Sequence, residues 1–266
     1  MPLEARSQDA VRILLLNPNS SHEMTHGMEE AIRGLDLPKS LEIDTYTAPQ
    51  NSPASINDGG DLDASTEIVV ADLAMRSDIE SYDAILVACY SVHPLVARLG
   101  ERFAGSIFVT GIFESSILTA LALLPPYAPS DGSPKMWGIV TTGTFWEKHL
   151  SEGVRAFLGQ AQGTTNVKFA GVYSTGLDAG DFHGGIPPTV VYQKLRNATQ
   201  RLLATGNVGC IVMGCAGMAG LEKLIRDVVR EQYGHEAGSR MCVVDGVKAG
   251  VSLLHQTIQN TRAFRE

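Results

Sequence analysis

The chain has 266 residues and lacks any apolar run close to the roughly 20 residues that a membrane-spanning helix requires. It also lacks an excess of basic residues, because its formal net charge is −8, which gives no attraction to nucleic acids or anionic membranes. Residues 1–10 are polar, without the apolar core of a secretory signal, and we expect them to be frayed. We therefore expect no nucleic-acid or membrane partner and a small-molecule ligand instead.

Cysteine is scarce as well. The chain has four cysteines, at positions 89, 210, 215 and 242, and their spacing matches neither a zinc site nor a disulfide scaffold. We therefore expect no metal and a reducing, cytoplasmic setting in which thiols stay available for chemistry. Cys210 and Cys242 lie within apolar runs, where a cysteine usually serves as a small buried hydrophobic residue. Cys89 and Cys215 instead lie at the ends of such runs.

Short apolar runs alternate with segments of helical spacing along the chain, which predicts an α/β fold with mostly parallel sheets and helices on both faces. The predicted strands lie near residues 11–16, 41–46, 83–89, 106–111, 136–144, 167–173, 208–215 and 241–245. The predicted helices cover residues 23–33, 65–77, 115–124, 145–158, 189–204 and 246–260. Residues 51–63 are rich in Pro, Ser, Asn and Gly and predict a loop that overhangs a site.

The second half of the chain repeats the pattern of the first. The separation from Asn17 to Cys89 is 72 residues, and the separation from Thr141 to Cys215 is 74 residues. This near-constant offset indicates a duplication. A proline-rich connection over 125–134 lies between the halves. We expect residues 11–112 with 224–266 to form one α/β domain and residues 113–223 to form the other.

A thiol that follows a parallel strand lies at the carboxyl edge of the sheet, where open α/β sheets bind ligands. Two such thiols on opposite sides of a cleft could remove a proton from one face of a carbon and return it to the other face. Cysteine suits this chemistry because its usual pKa is about 8.5, and a neighbouring helix amino terminus is expected to lower that pKa further. Cys89 and Cys215 are the candidate pair.

Five short motifs resemble those of the aspartate/glutamate racemase superfamily, and more closely its hydantoin and allantoin racemase branch. They are the Asn17-Pro-Asn-Ser-Ser turn, the Ala88-Cys89 strand end, Val140-Thr-Thr-Gly, Gly214-Cys-Ala-Gly-Met and Val244-Asp-Gly. The resemblance covers nearly the whole chain after Ala10. It implies two pseudo-symmetric Rossmann-like domains with the site in the cleft between them, and no cofactor.

The resemblance also implies roles for individual residues. Cys89 and Cys215 match the two catalytic thiols of the family. The positions that match ligand contacts are Asn17, Ser20, Ser91, Thr141, Thr142, Ala216 and Gly217. The chain departs from the bacterial hydantoin racemases after the first cysteine, where it has Tyr90-Ser-Val-His93-Pro in place of an Asp-Pro-Gly element. Since this change lies beside the substrate, Tyr90 and His93 are candidate substrate contacts too.

The resulting hypothesis is a cofactor-independent racemase of hydantoin-type rings, either 5-substituted hydantoins or allantoin, which we expect to be a homo-oligomer. Three alternatives stay open: a malonate decarboxylase, which is expected to keep only the second cysteine; a maleate-type isomerase, which needs cationic or multiple N–H donors; and a ligand-binding sensor without turnover. His93 is either a proton shuttle, a substrate contact or a helix-entry residue. Glu114 either caps a helix or supports the site from behind.

Overall fold

The structure is a computed structural model that describes residues 10–130, 132–183 and 186–265. The expected fraying of residues 1–10 concerns a segment of which residues 1–9 lie outside the described residues. None of the helices described in these ranges is long and apolar enough to cross a membrane.

The first half of the chain forms a parallel sheet with the strand order β2-β1-β3-β4. Its strands are β1 (Val11–Asn17), β2 (Leu41–Thr47), β3 (Ala84–Val87) and β4 (Phe108–Gly111). The helices of this half are α1 (His22–Arg33), α2 (Gly59–Ala74), α3 (Pro94–Arg102) and α4 (Ile112–Leu123), with a 3₁₀ turn over Ile79–Ser81.

The second half forms another parallel sheet, with the order β6-β5-β7-β8. Its strands are β5 (Met136–Thr141), β6 (Phe169–Ser174), β7 (Val208–Gly214) and β8 (Cys242–Asp245). Its helices are α5 (Phe145–Phe157), α6 (Pro188–Leu203), α7 (Glu222–Tyr233), α8 (His235–Arg240) and α9 (Gly246–Phe264), with 3₁₀ turns over Ala179–His183 and Ala216–Met218.

The two sheets have the same strand order, so each strand of the first half has a counterpart in the second. The strand β3 that precedes Cys89 corresponds to the strand β7 that precedes Cys215. The prediction of an α/β fold with two parallel sheets is confirmed. Helices α4 and α9 are also counterparts, since each follows the edge strand of its own sheet.

Helices α4 and α9 pack against each other and join the two halves. Helix α4 also contacts β7 and β8 of the second sheet, and α9 contacts β1, β3 and β4 of the first. The domain boundaries stay a prediction, but strand β8 hydrogen-bonds with β7, so residues 242–245 attach to the second sheet rather than to the first. The largest buried apolar cluster runs through both halves, from Leu15 and Leu86 to Trp137 and Val212.

Several helix predictions need correction. Helix α2 begins at Gly59 rather than near residue 65, because the Asp58 side chain caps it by accepting the N–H of Asp61 at 3.0 Å. The predicted loop is therefore shorter than residues 51–63. Helices α3, α7 and α8 were not predicted. Helix α3 begins directly after the Cys89 turn, where Pro94 occupies its first position and His93 caps it.

Candidate active site

Cys89 and Cys215 line one cavity between the two halves. Cys89 comes two residues after Val87, the last residue of β3, and Cys215 directly follows Gly214, the last residue of β7. The cavity is narrow, with a volume of about 30 Å³, so a ring-sized ligand needs the wall to open before it can enter. The counterpart strands of the two sheets therefore bring the two thiols to the same cavity.

Both halves of the chain supply the cavity wall, and the described wall carries no Asp, Glu, Lys, Arg or His. Its residues are Asn19, Met24, Ile56, Ala88, Cys89, Tyr90, Thr142, Trp146, Ala179, Gly214, Cys215, Ala216 and Gly217. Apart from the two thiols and the phenol of Tyr90, the wall has no titratable side chain. A ligand in this space meets polar but uncharged groups and an apolar surface.

Cys89 is half-buried, but its thiol is largely removed from solvent, and this desolvation raises its pKa to about 12. The Ser91 hydroxyl donates a hydrogen bond to Cys89 Sγ at 3.3 Å, which lowers the pKa and opposes the effect of burial. Two neighbours raise the pKa further by repelling the thiolate, namely Cys215 and Glu114. The electrostatic effect of Cys215 on Cys89 is consistent with two sulfurs in the same cavity.

The Cys215 thiol lies at the amino terminus of the 3₁₀ turn Ala216–Met218. Burial raises its pKa to about 11, while the backbone N–H groups of Gly217 and Met218 lower it. The N–H of Gly217 donates to Cys215 Sγ at 3.3 Å. The N–H groups of this turn thus lower the pKa of Cys215, in the direction that the sequence analysis expects, but burial has the larger effect and the pKa is raised overall.

The first half contributes the turn after β1. Asn17 is fully buried, and its Nδ2 lies 3.0 Å from Asn19 Oδ1, Ser21 O and Thr25 Oγ1, so its amide holds the turn together. Asn17 lies outside the described cavity wall, and its contact with substrate stays a prediction. Asn19 lines the cavity instead. Among the residues that the structure describes, its Nδ2 donates only to the weak acceptor Met24 Sδ, at 3.3 Å.

Ser20 and His93 hold other parts of the first half in place. Ser20 Oγ donates to the carbonyl of Ser52 at 3.0 Å, which fastens the loop before α2. His93 Nδ1 accepts the N–H of Leu95 at 3.2 Å, and its Nε2 lies 3.1 Å from Ser65 Oγ. Burial lowers the pKa of His93 to about 3. Both residues lie outside the described cavity wall, and their substrate contacts stay predictions.

Tyr90 lines the cavity with its hydroxyl anchored behind the wall. The Tyr90 hydroxyl and Ser116 Oγ are 2.8 Å apart, and the Tyr90 ring meets Phe113 edge-on with the ring centroids 5.5 Å apart. Tyr90 therefore presents its ring to the cavity, because its hydroxyl is engaged with Ser116 of α4. Ser91 acts on the cavity through its hydrogen bond to Cys89.

Thr141 and Thr142 end the central strand β5 of the second sheet. Thr141 Oγ1 donates to the carbonyl of Gly214 at 2.7 Å and so ties β5 to the end of β7, outside the described cavity wall. Thr142 lines the cavity, together with Ala216 and Gly217. Its hydroxyl has no hydrogen-bond partner in the part of the chain that the structure describes, which leaves it available to a ligand.

Four apolar residues of the cavity wall were missed by the sequence reasoning. Met24 comes from α1, Ile56 from the loop before α2, Trp146 from α5 and Ala179 from a 3₁₀ turn. Only the loop carried a signal, since residues 51–63 were expected to overhang a site. Trp146 lies one residue after the start of α5, directly beyond the Thr142 turn, and this closeness to a predicted strand end could have suggested it.

The family model described as Asp/Glu/Hydantoin racemase matches residues 13–254. The chain belongs to this family. The resemblance inferred from the motifs is thereby confirmed at the level of the superfamily, and the chain is an enzyme of the racemase type, an isomerase.

Relatives of this family member span most of its length. An uncharacterized protein of Schizosaccharomyces pombe is 30% identical over 249 residues, which are 94% of this chain and 92% of the relative. A hydantoin racemase of a Pseudomonas species is 26% identical over 244 residues, covering 91% of this chain and 83% of the relative. The solved allantoin racemase from Klebsiella pneumoniae superposes with a TM-score of 0.72 at 25% identity, covering 94% of this chain and 89% of that one.

Proposed function

We propose that this chain is a cofactor-independent racemase of neutral hydantoin-type rings, either 5-substituted hydantoins or allantoin. In this proposal Cys89 and Cys215 exchange the proton on the ring carbon that carries the substituent. The proposal is supported by the composition of the cavity wall. Two thiols from counterpart strands line it, and the described residues of the wall include no charged side chain.

Inversion of a carbon that carries hydrogen requires an acid/base group on each face of the carbon. The two thiols meet this need if the ring lies between them, with each sulfur about 3.5 Å from the reacting carbon. One cysteine acts as thiolate and takes the proton, while the other, as thiol, gives its proton to the opposite face. The reverse assignment runs the reaction in the other direction, so the pair serves both enantiomers without any net change in protons.

The negative charge that develops on the ring carbonyl needs hydrogen-bond donors. The Thr142 hydroxyl and the Asn19 amide are suited to this role. Within the described part of the chain, the hydroxyl has no partner and the amide donates only to the sulfur of Met24. Loss of one such donor typically costs about 3 kcal/mol of transition-state stabilisation. The ring itself helps, since carbonyl and amide groups flank its reacting carbon and delocalise the charge.

The uncharged wall favours a neutral ring over a dicarboxylate. A carboxylate placed in a buried site without a cation or several N–H donors pays a large desolvation cost. Malonate, maleate, aspartate and glutamate all carry two or more charged groups, whereas a hydantoin ring presents carbonyls and N–H groups. Met24, Ile56 and Trp146 supply an apolar surface for the flat ring or its substituent.

The raised thiol pKa values have a consequence for the rate. With values of about 11 for Cys215 and about 12 for Cys89, both groups are protonated in the ligand-free enzyme at neutral pH. The thiolate that does form is a strong base, which suits a weakly acidic carbon. We therefore expect kcat/KM to rise with pH through the range from 7 to 9.

A substrate panel tests the proposal. Enantiopure 5-substituted hydantoins, both enantiomers of allantoin, aspartate, glutamate, a disubstituted malonate and maleate are incubated with the enzyme in the presence of a chelator and without pyridoxal phosphate. Optical rotation, or circular dichroism of the substrate, is followed over time. We expect the rotation of at least one hydantoin-type ring to decay to zero, above the uncatalysed rate measured without protein.

The matched controls are Cys89→Ser and Cys215→Ser, in which a hydroxyl replaces each thiol with little change of volume. Both variants are expected to lose nearly all racemisation, because a serine hydroxyl is far too weak an acid to take the place of a thiol. Turnover of a dicarboxylate but of no neutral ring would contradict the proposed substrate class. Loss of turnover on chelation, restored by added metal, would contradict the cofactor-independent mechanism.

A further inference from the structure

The segment that carries Cys89 is fastened to the first turn of helix α4. Gly111, the last residue of β4, pairs with Val87 in the sheet, so β3 and β4 end side by side. The Tyr90 hydroxyl lies 2.8 Å from Ser116 Oγ, and the Tyr90 ring packs edge-on against Phe113. The residues that surround Cys89 are thus held against residues 113–116.

Glu114 lies in this first turn and has a buried carboxyl group. Its Oε2 is buried and has no hydrogen-bond partner among the described residues. The carboxyl folds back towards the amino end of its own helix, where it occupies the space that a side chain at Gly111 would need. The backbone N–H groups of Gly111 and Glu114 stabilise its charged form. A helix cap would not require burial of the second oxygen, so capping alone does not explain this placement.

The charge of Glu114 acts on the neighbouring thiol. Ionised Glu114 raises the pKa of Cys89, and it also raises the pKa of Tyr90. Burial raises the pKa of Glu114 itself to about 7. The carboxyl therefore changes its charge in the neutral range, close to a group that must lose a proton during turnover.

Other titratable or charged groups lie on the elements packed against α4. They are Cys89 and Tyr90 after β3, Cys210 on β7, Cys242 and Asp245 on β8, and Lys248, His255 and Arg262 on α9. Lys248 forms an ion pair with Glu222, and Asp245 caps α9 by accepting the N–H groups of Val247 and Lys248. The effect of Glu114 on Cys89 is therefore not masked by a described cation that pairs with its carboxyl.

We propose that Glu114 is a positioning residue that acts through Cys89: its buried, unpaired carboxyl oxygen lies beside the end of β3, and its protonation state modulates how readily the Cys89 thiol gives up its proton. Protonated Glu114 leaves the thiol free to ionise, whereas ionised Glu114 opposes the thiolate. Burial has the larger effect on the Cys89 thiol, and the charge of Glu114 adds to it in the range where Glu114 ionises. The effect of Glu114 on turnover rests on the proposed racemase function, whereas its effect on ionisation of the Cys89 thiol does not.

Alkylation of Cys89 without substrate tests the inference. Cys215→Ser is used as the background, so that the second thiol of the cavity is absent, and iodoacetamide is added at pH values from 5.5 to 9.5. The rate of Cys89 modification is measured on its peptide by mass spectrometry, which separates it from Cys210 and Cys242. The thiolate is the reacting form, so the rate reports ionisation of Cys89.

With Glu114 present, we expect the logarithm of the rate to rise with pH, to flatten near pH 7 as Glu114 ionises, and to rise again. Glu114→Gln keeps the shape of the side chain and removes its charge. It is expected to give a single straight rise and faster alkylation above pH 7, by about tenfold for each unit by which the pKa of Cys89 falls. A purely structural role for Glu114 would not produce a bend that depends on its charge.

Two variants complete the experiment. Glu80→Gln removes an exposed carboxylate before the amino end of β3, at the opposite edge of the sheet, and is expected to keep the bend. Glu114→Asp keeps a carboxyl and is expected to keep a bend, which makes the test independent of whether Glu114→Gln folds well. The inference is overturned if the rate curve of the Cys215→Ser protein with Glu114 intact has no bend, or if the Glu114→Gln variant in this background keeps the bend. A bend in the alkylation curve of a protein that racemises no hydantoin would contradict the proposed function but not the effect of Glu114 on the thiol.

Discussion

Gly214, the last residue of β7, is expected to be essential for the geometry of the second thiol. A Cβ atom at this position would lie 2.6 Å from Ile139 Cγ2 and 2.8 Å from Thr141 Cβ, both on the neighbouring strand β5. These separations are shorter than van der Waals contact, and both neighbours are fully or almost fully buried. Gly214→Ala must therefore push β5 and β7 apart or displace Cys215, which follows directly.

The size of the effect follows from overpacking of a buried site, which typically costs about 1–3 kcal/mol. Gly209→Ala is the matched control, since Gly209 lies on the same strand. The atoms nearest its new Cβ are Leu124 Cδ2 and Lys135 Cδ, both at 3.2 Å, and both belong to flexible side chains that can move. Both substitutions restrict the unfolded chain equally, so this entropic gain cancels when the two variants are compared.

Urea unfolding followed by circular dichroism gives the free energy of unfolding of each variant. We expect Gly214→Ala to be less stable than Gly209→Ala by about 1–3 kcal/mol, or by roughly 2–12 °C in Tm. Racemisation is expected to fall strongly in Gly214→Ala only, because small displacements of a reacting group cost about a hundredfold in rate. Equal stability and equal activity of the two alanine variants would refute the reasoning.

Two further predictions concern pH and stability. The pKa of His93 is lowered from 6.5 to about 3, so neutral His93 contributes to the free energy of unfolding above pH 6.5, and this contribution is lost as pH falls towards 3. His93→Asn keeps a capping side chain but does not titrate. Its free energy of unfolding should therefore fall less steeply with acid, by about 1.4 kcal/mol per pH unit. The pKa of Glu114 is raised from 4.5 to about 7, so protonated Glu114 contributes to the free energy of unfolding below pH 4.5, and this contribution is lost as pH rises through 7. Glu114→Gln should remove this loss, which is about 3 kcal/mol. Denaturant titrations at several pH values check both, and identical pH profiles of variant and wild type would contradict either one.

The sequence allowed the fold and the central pair of the candidate site to be predicted, because both depend on local patterns. Short apolar runs at regular intervals are enough to predict parallel strands, and Cys89 and Cys215 end counterpart strands whatever the details of packing. Thr142 and the Ala216-Gly217 turn came from the family resemblance, and they too follow strands and line the cavity.

The remaining features depend on contacts that local patterns do not carry. Asn17 and Asn19 lie in the same turn, yet only the network of hydrogen bonds shows that Asn17 is occupied and that Asn19 lines the cavity. Trp146 and Met24 reach the cavity from helices far apart in the chain. The thiol pKa values depend on how completely the site is buried, which outweighs the N–H donors that the sequence did suggest.

The proton exchange of the two single-cysteine variants in heavy water tests the two-base mechanism most directly. The wild type is expected to place deuterium at the stereocentre of the product while it racemises a hydantoin. Cys89→Ser and Cys215→Ser each keep one thiol on one face of the ring, so each should exchange the proton of one enantiomer without inverting it, and the two variants should prefer opposite enantiomers. NMR of the recovered, separated enantiomers gives the deuterium content. Exchange of the same enantiomer by both variants, or near-normal racemisation by either one, would contradict the opposed pair of cysteines.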